Sequence, residues 1–428
     1  MRRVWALILS LALVLGPYPV LAQEEGPEGP AETETVDEAA EDVAEETAEE
    51  SEEGKELKWG GTPYAYTGPD TGFGIGFAIL YRDMFGKKGR DTDFSFTLTQ
   101  SEKQSFSLTW QEPYFLSDRG RLKISTSYTT EPSIRFYGIG NDRPLRGSLS
   151  NYFWRSFSIG PTYIYRFPKT DYGIFGVRFG VSYELIDPDN GKLDDPDLGS
   201  YNRTVEEAYP EIYNSFHFEN SVHIIPSVTA YRDTRIDRFP LGGGREEVVW
   251  PMRGGYEEVS YSRSDEAWGS DFSYQRFTLD VRRYFPLFSE DTIVAIRGKA
   301  SLGQGEVPFY KMVSYGNGSD LRGYYGNRFL DKSSTQYNIE LRQGFLPNAE
   351  LPILGGLIKL KYPSVALFWD SARVYEDIED IPEEWLEDYH YTYGFAFRFV
   401  ITPSVVIRAE WGYSDEQNTF SVNTGLPI

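Results

Sequence analysis

The sequence predicts an all-β fold, a 16-stranded antiparallel transmembrane β-barrel, and three observations predict it. From Trp59 onward the chain alternates apolar and polar residues with period two, with almost no helical spacing. The alternating segments number sixteen, an even count. Their connections are long and short by turns, which suits a barrel with long outside loops and short periplasmic turns.

Met1-Arg2-Arg3 is a cationic start, Val4 to Leu15 is apolar, and Val20-Leu21-Ala22 offers modest side chains before a cleavage point. Residues 1–22 are therefore expected to be a secretory signal peptide, because the apolar run falls below the ~18 residues a helical span needs. Residues 23–58 hold 16 acids against Lys55 and Lys58 and no aromatic residue. Such a segment buries too little apolar surface to offset chain entropy, so a disordered acidic periplasmic tail is expected. It would serve as a solvated spacer or as an arm for a basic periplasmic partner.

Residues 59–428 form the expected barrel. Strands are predicted near 61–67, 72–82, 91–100, 104–112, 120–130, 151–166, 172–186, 219–233, 253–264, 270–283, 291–302, 334–346, 357–371, 391–400, 404–412 and 418–426. In the second, Phe73, Ile75, Phe77, Ile79 and Tyr81 share one face while Gly74, Gly76 and Ala78 share the other. Tyr391, Tyr393, Phe395, Phe397 and Phe399 repeat the pattern near the end. If the chain enters from the periplasm, the long connections at 131–150, 187–218, 303–333 and 372–390 are all odd-numbered and face outside. The short ones at 167–171, 284–290 and 401–403 are even-numbered, although the even connections 83–90 and 234–252 are longer than the rule prefers. The first strand reads as short and poorly laddered, with Pro63 inside it and Gly60, Gly61 and Gly68 beside it. A soluble sandwich would hide the Tyr/Phe face in a core, and a propeller would repeat every ~40–50 residues. In a barrel that face meets lipid, and closure leaves no free edge.

Composition narrows the chemistry. With no cysteine there is no disulfide, thiol nucleophile or iron–sulfur cluster, and His217, His223 and His390 are the only histidines. The net charge of −23, of which −11 falls on residues 59–428, repels nucleic acid phosphates. No Gly-x-Ser-x-Gly, phosphate loop or His-Glu-x-x-His occurs, and the glycines of Gly72-Phe73-Gly74-Ile75-Gly76 lie inside a strand. Asp187-Pro188-Asp189-Asn190-Gly191, with Asp194, Asp195 and Asp197, lacks EF-hand spacing and reads as a solvated loop rather than a calcium site. A Ser/His hydrolase would have to use His223. The expectation is a protein that is not an enzyme, with no cofactor and no metal.

Leu321-Arg322-Gly323-Tyr324 lies in the longest late loop, and a strand with Asn338 and Glu340 follows it. This resembles the bacterial surface antigen family, the barrel domain of BamA/TamA-type outer-membrane assembly proteins, whose hallmark is a (V/I/L)RG(F/Y) tetrad in the sixth outside loop. Counting connections puts this tetrad in the sixth outside loop, between strands 11 and 12. The resemblance extends to Tyr66-Thr67-Gly68-Pro69-Asp70-Thr71-Gly72, Trp110-Gln111-Glu112-Pro113-Tyr114-Phe115 and Phe136-Tyr137-Gly138-Ile139-Gly140-Asn141-Asp142. It continues in Tyr231-Arg232-Asp233-Thr234-Arg235 and Phe368-Trp369-Asp370-Ser371.

A loop folded into the lumen must be pinned, and an arginine fork suits inward carboxylates. Alternation places Glu340 inward with Asn338 and Arg342, and Asp370 inward beside outward Leu367 and Trp369. Arg322 is therefore expected to bond Asp370 and Glu340, and the resemblance implies the same arrangement. Gly323 would let the backbone turn tightly and Tyr324 would pack on the wall, so that Leu321 to Tyr324 form a lumen-loop lock.

The resemblance implies insertion or translocation of proteins or lipids at the outer membrane, through a seam between the first and last strands. Outer-membrane lipids, client outer-membrane proteins and a periplasmic partner for the acidic tail are the expected partners of a monomer. The sequence departs from the family in having a 36-residue acidic segment, too short for a POTRA domain, between the signal peptide and strand 1, and in ending on Ile428 rather than an aromatic residue. The rival expectation is a passive pore or structural barrel without assembly activity.

Overall fold

The computed structural model describes residues 59–68, 70, 72–192, 203–215, 218–239, 248–316, 320–346, 349–353, 358–384, 387–401 and 405–428. The expected signal peptide, the acidic tail, His217 and the acids Asp194, Asp195 and Asp197 lie outside the described residues.

Sixteen strands make the wall: β1 Trp59–Gly68, β2 Gly72–Tyr81, β3 Asp91–Thr99, β4 Gln104–Pro113, β5 Gly120–Phe136, β6 Ser150–Arg166, β7 Ile174–Asn190, β8 Ser221–Asp233, β9 Pro251–Ser264, β10 Tyr274–Pro286, β11 Thr292–Gly305, β12 Ser333–Gly344, β13 Ile358–Tyr375, β14 His390–Ile401, β15 Val405–Tyr413 and β16 Asn418–Thr424. Each pairs antiparallel with its sequence neighbours, and β1 meets β16 to close the ring. Short strands at Ile236–Asp237 and Glu350–Ile353 extend the sheet within two connections at the rim where β1 begins, which accounts for the length of the even-numbered connection 234–250. No helix among the described residues is long and apolar enough to cross a membrane; the strands do the crossing.

The alternation has the physical consequence expected of it. Phe73, Phe106, Phe179, Leu341, Leu367 and Tyr393 point outward and are exposed, forming an apolar belt for lipid. The lumen is layered. Near the rim of the long connections, Phe136, Tyr152, Phe272, Phe309 and Leu330 pack together, and beside them Tyr315, Leu321, Tyr324, Phe329 and Val374 form a second cluster. Toward the opposite rim, Trp250, Tyr284, Ile293, Tyr362, Val400 and Ile428 form a third. Charged side chains fill the layer between.

The first strand departs from the sequence reading. It is not short: all ten residues pair with β2, from Trp59–Tyr81 to Gly68–Gly72. Its weakness is confined to the other edge, where Thr67–Val422 is the one paired position with β16 among the described residues. A central lipid-facing position should tolerate charge poorly. Leu367 is 59% exposed and pairs with Leu341 and Phe395. Leu367→Arg is expected to cost about 2–4 kcal/mol in urea titrations of the bilayer-inserted protein. Arginine at lumen-facing Ser107, which bonds Ser95, should cost a small fraction of that.

Candidate functional site

The connection between β11 and β12 turns back into the lumen, where Val313–Tyr315 pairs with Phe329–Asp331 as a hairpin. Leu321 to Tyr324 stand near its tip against β12 to β15. Arg322 is 2% exposed. Its Nε and Nη2 donate to the two oxygens of Asp370 at 2.7 Å each, and its backbone N–H donates to the same carboxylate at 3.2 Å. Nη1 donates to Glu340 Oε1 at 2.6 Å and to Glu410 Oε1 at 3.1 Å. The guanidinium also lies 3.6 Å above the centre of the Phe368 ring.

The backbone fits because two glycines permit it. Gly323 has φ 117°, and a Cβ there would meet Thr392 and the Tyr413 backbone at 3.1–3.2 Å. Opposite it on β15, a Cβ on Gly412 would stand 2.6 Å from the Gly323 nitrogen. Leu321 is fully buried beside Tyr315 and Phe329. Tyr324 packs edge-on to Phe329, with ring centres 5.1 Å apart, and donates its hydroxyl to Asp415.

Of the expected residues, Leu321, Arg322, Gly323, Tyr324, Glu340 and Asp370 are all brought together. Asn338 and Arg342, read as inward with Glu340, join them, and so do three residues not singled out from the sequence: Arg398, Arg408 and Glu410. Arg398 grips Glu340 with two N–H groups at 2.7 and 2.9 Å, and Arg342 Nε donates to it at 2.9 Å. Arg408 Nη1 donates to Glu410 at 2.5 Å. Asn338 donates to Asp370 at 2.8 Å and to the Asp320 carbonyl at 3.0 Å. Four guanidiniums thus face three carboxylates, and an Arg342 N–H is taken by the Ile428 carbonyl at 3.0 Å. The signal for them was present: outward Phe397, Phe399 and Trp411 fix Arg398 and Glu410 as inward on adjacent strands.

The same loop holds distant elements. Arg328 donates to Glu416 at 2.6 Å, and the Gly140 N–H donates to the Leu330 carbonyl at 2.8 Å. At the β1–β2 turn, Asp70 accepts the Gly326 N–H at 2.9 Å and lies 3.5 Å from Arg135. Burial pushes the Asp70 carboxyl above the ordinary carboxylate range, against the pull of Arg135 and of the Gly326 N–H.

The remaining candidates assemble nothing comparable. His223 Nε2 lies 3.1 Å from Ser221 Oγ, but Nδ1 faces the Tyr274 hydroxyl at 3.3 Å instead of a carboxylate, and both members are buried. Asp187 lies in β7 and pairs with Arg155. Among the described residues no group of three His, Asp or Glu could hold a metal ion.

The chain matches the Omp85 superfamily domain over residues 85–427, which takes in β3 to β16. Among solved structures it is similar to BamA from Haemophilus ducreyi lacking POTRA domains 1–3, with TM-score 0.56 and 16% identity, covering 86% of this chain and 70% of that one. It is also similar to CdiB from Acinetobacter baumannii, with TM-score 0.50 and 13% identity, covering 85% of this chain and 59% of that one. At these identities the likeness is one of fold. Among proteins with curated descriptions, none matches. The closed sixteen-stranded wall, its apolar belt and the matched span together make this chain a member of the Omp85 superfamily, a β-barrel of the outer membrane.

Proposed function

We propose that this barrel inserts or translocates client proteins at the outer membrane by opening the seam between β1 and β16, without covalent chemistry. The observation that carries this reading is the pairing at the seam: among the described residues one position, against ten between β1 and β2 and seven between β15 and β16. Pro63 also leaves β1 one N–H short. An edge held so lightly opens at small cost and offers its backbone to an incoming strand by β-augmentation. Membership of a superfamily of assembly and translocation barrels supports the same direction. Residues 1–22 would export the chain as a signal peptide, and it would act as a monomer.

In this reading the tetrad is a lock. While the seam yields, the Arg322 cluster keeps the sixth loop seated, and the Asp70–Gly326 bond keeps the β1–β2 turn attached to it. Replacing Arg322 by Ala leaves Asp370 buried with Asn338 as its remaining side-chain partner, whereas Glu340 retains Arg398 and Arg342. Breaking one side of a buried pair costs about 3–5 kcal/mol. Arg322→Ala should lower stability by that order and expose residues 306–332 to protease. Arg322→Lys should fall between it and the wild type, because an ammonium cannot reproduce the two-pronged contact. Unchanged cleavage in Arg322→Ala would remove the lock from the mechanism.

The seam itself is tested with a cysteine pair at Thr67 and Val422, which the cysteine-free chain makes unambiguous. The wild type in liposomes should accelerate folding of an outer-membrane client, oxidation of the pair should abolish the gain, and reduction should restore it. Equal client folding with and without an intact barrel would assign the protein a passive pore or structural role.

A further inference from the structure

One lumen cavity stands outside the lock. It has a volume of about 520 Å³ and is an open recess lined by the inward faces of β3 to β8, near the rim where β1 begins. Arg82, Arg121, Lys123, Arg166 and Arg178 line it, against Asp91 and Asp93. Arg82 is shared between those two acids at 3.1 Å each, and Arg178 is held from the wall by Glu258 at 2.8 Å. Even with Glu258 counted, the cavity keeps an excess of two positive charges in a chain of net charge −23. Lys123 is exposed to it, and its ammonium forms no ion pair or hydrogen bond among the described residues. A second cavity, of about 410 Å³, shares Arg121 and Arg166 and adds Lys88 and Arg119 against Asp118 at the rim. The positive surface therefore continues to the mouth.

The most acidic part of the sequence is tethered beside this mouth. Residues 23–58, with a net charge of −14, run directly into Trp59. Trp59 pairs with Tyr81, and the next residue, Arg82, lines the cavity. Neighbouring strands lie about 4.8 Å apart, whereas a flexible chain as long as these 36 residues would have an end-to-end distance of about 30–36 Å. The segment can therefore reach every cation named, and its tether gives it a local concentration that free anions must exceed.

We propose that the acidic segment 23–58 is the ligand of this cationic cavity, entering the barrel's own mouth from the side where β1 starts and occupying it until a competing polyanion or a basic partner withdraws it. The proposal concerns the inward faces of β3 to β8 and not the pairing of β1 with β16, so its failure and that of the seam mechanism are separable. Individually such exposed contacts are weak; many carboxylates acting from one tether are not.

The test uses the chain in zwitterionic liposomes at low salt and measures acylation of Lys123 by a water-soluble amine reagent, read by peptide mass spectrometry. A second variant carries amides in place of the ten acids from Asp37 to Glu53, changes that leave the barrel wall untouched. The expected result is Lys123 labelling at least fivefold faster in the amide variant. The wild type should rise to the same rate in 1 M salt, where screening acts within about 3 Å. Carbodiimide should also join Lys123 to carboxylates of residues 23–58 in the wild type, and less so in salt. Equal labelling of the two chains at low salt overturns the proposal. So does protection of Lys123 that appears only with anionic lipid and ignores the amide changes, an outcome that assigns the cavity to lipid phosphate.

Discussion

A layer of buried charge organises the barrel. Three carboxylates, from Glu340, Asp370 and Glu410, are held between apolar clusters above and below, where an unpaired charge would be prohibitively costly. Arg322 is the one member of the cluster that does not come from the wall. It arrives from a loop, so the wall is electrostatically incomplete until that loop folds inward. This makes the position of the loop a condition of the wall's stability as much as a consequence of it. Gly323 and Gly412 reduce the separation of loop and wall to backbone contact, which places the guanidinium at the depth of the carboxylates.

The seam and the loop are coupled through the first hairpin. β1 has a full ladder on one side and a single paired position on the other, so it belongs mechanically to β2. The turn between them is bonded to Gly326 and Arg135. Elements from the start, the fifth strand and the sixth loop therefore meet at the end of β1 where its one paired position with β16 lies. Aromatic stacking continues across the outer surface of the last strands, from Phe395 to Trp411 at 5.2 Å and on to Phe420 at 4.5 Å, and gives β14 to β16 a rigidity that the seam lacks.

Much of this was legible in the sequence, because two-residue periodicity and lipid exposure are the same fact in a barrel. Outward Leu367, Ile339 and Leu341 fixed the register that turns Asp370 and Glu340 inward, and the arginine of the tetrad then had identifiable partners. Arg398, Arg408 and Glu410 were equally inward by alternation, but nothing local indicates that four separate strands, β12 to β15, place their charges at one height; shear and register do that. The extent of β1 was misjudged for a related reason. Gly and Pro residues weaken a strand, but the ladder with β2 is long enough to hold them, and the defect appears only at the edge that must wait for β16. The short strands at 236–237 and 350–353 carry too few residues for any pattern to register.

The bond between Asp70 and Gly326 spans 256 residues of chain. Its formation cannot precede delivery of the sixth loop, although Asp70 belongs to the first hairpin made. Contacts of such separation are entropically late. The barrel's beginning is thus among the last parts to be fastened, and until then the first hairpin is an edge without a fixed partner. The protein must pass, in its own assembly, through an open form built from the same elements as its seam.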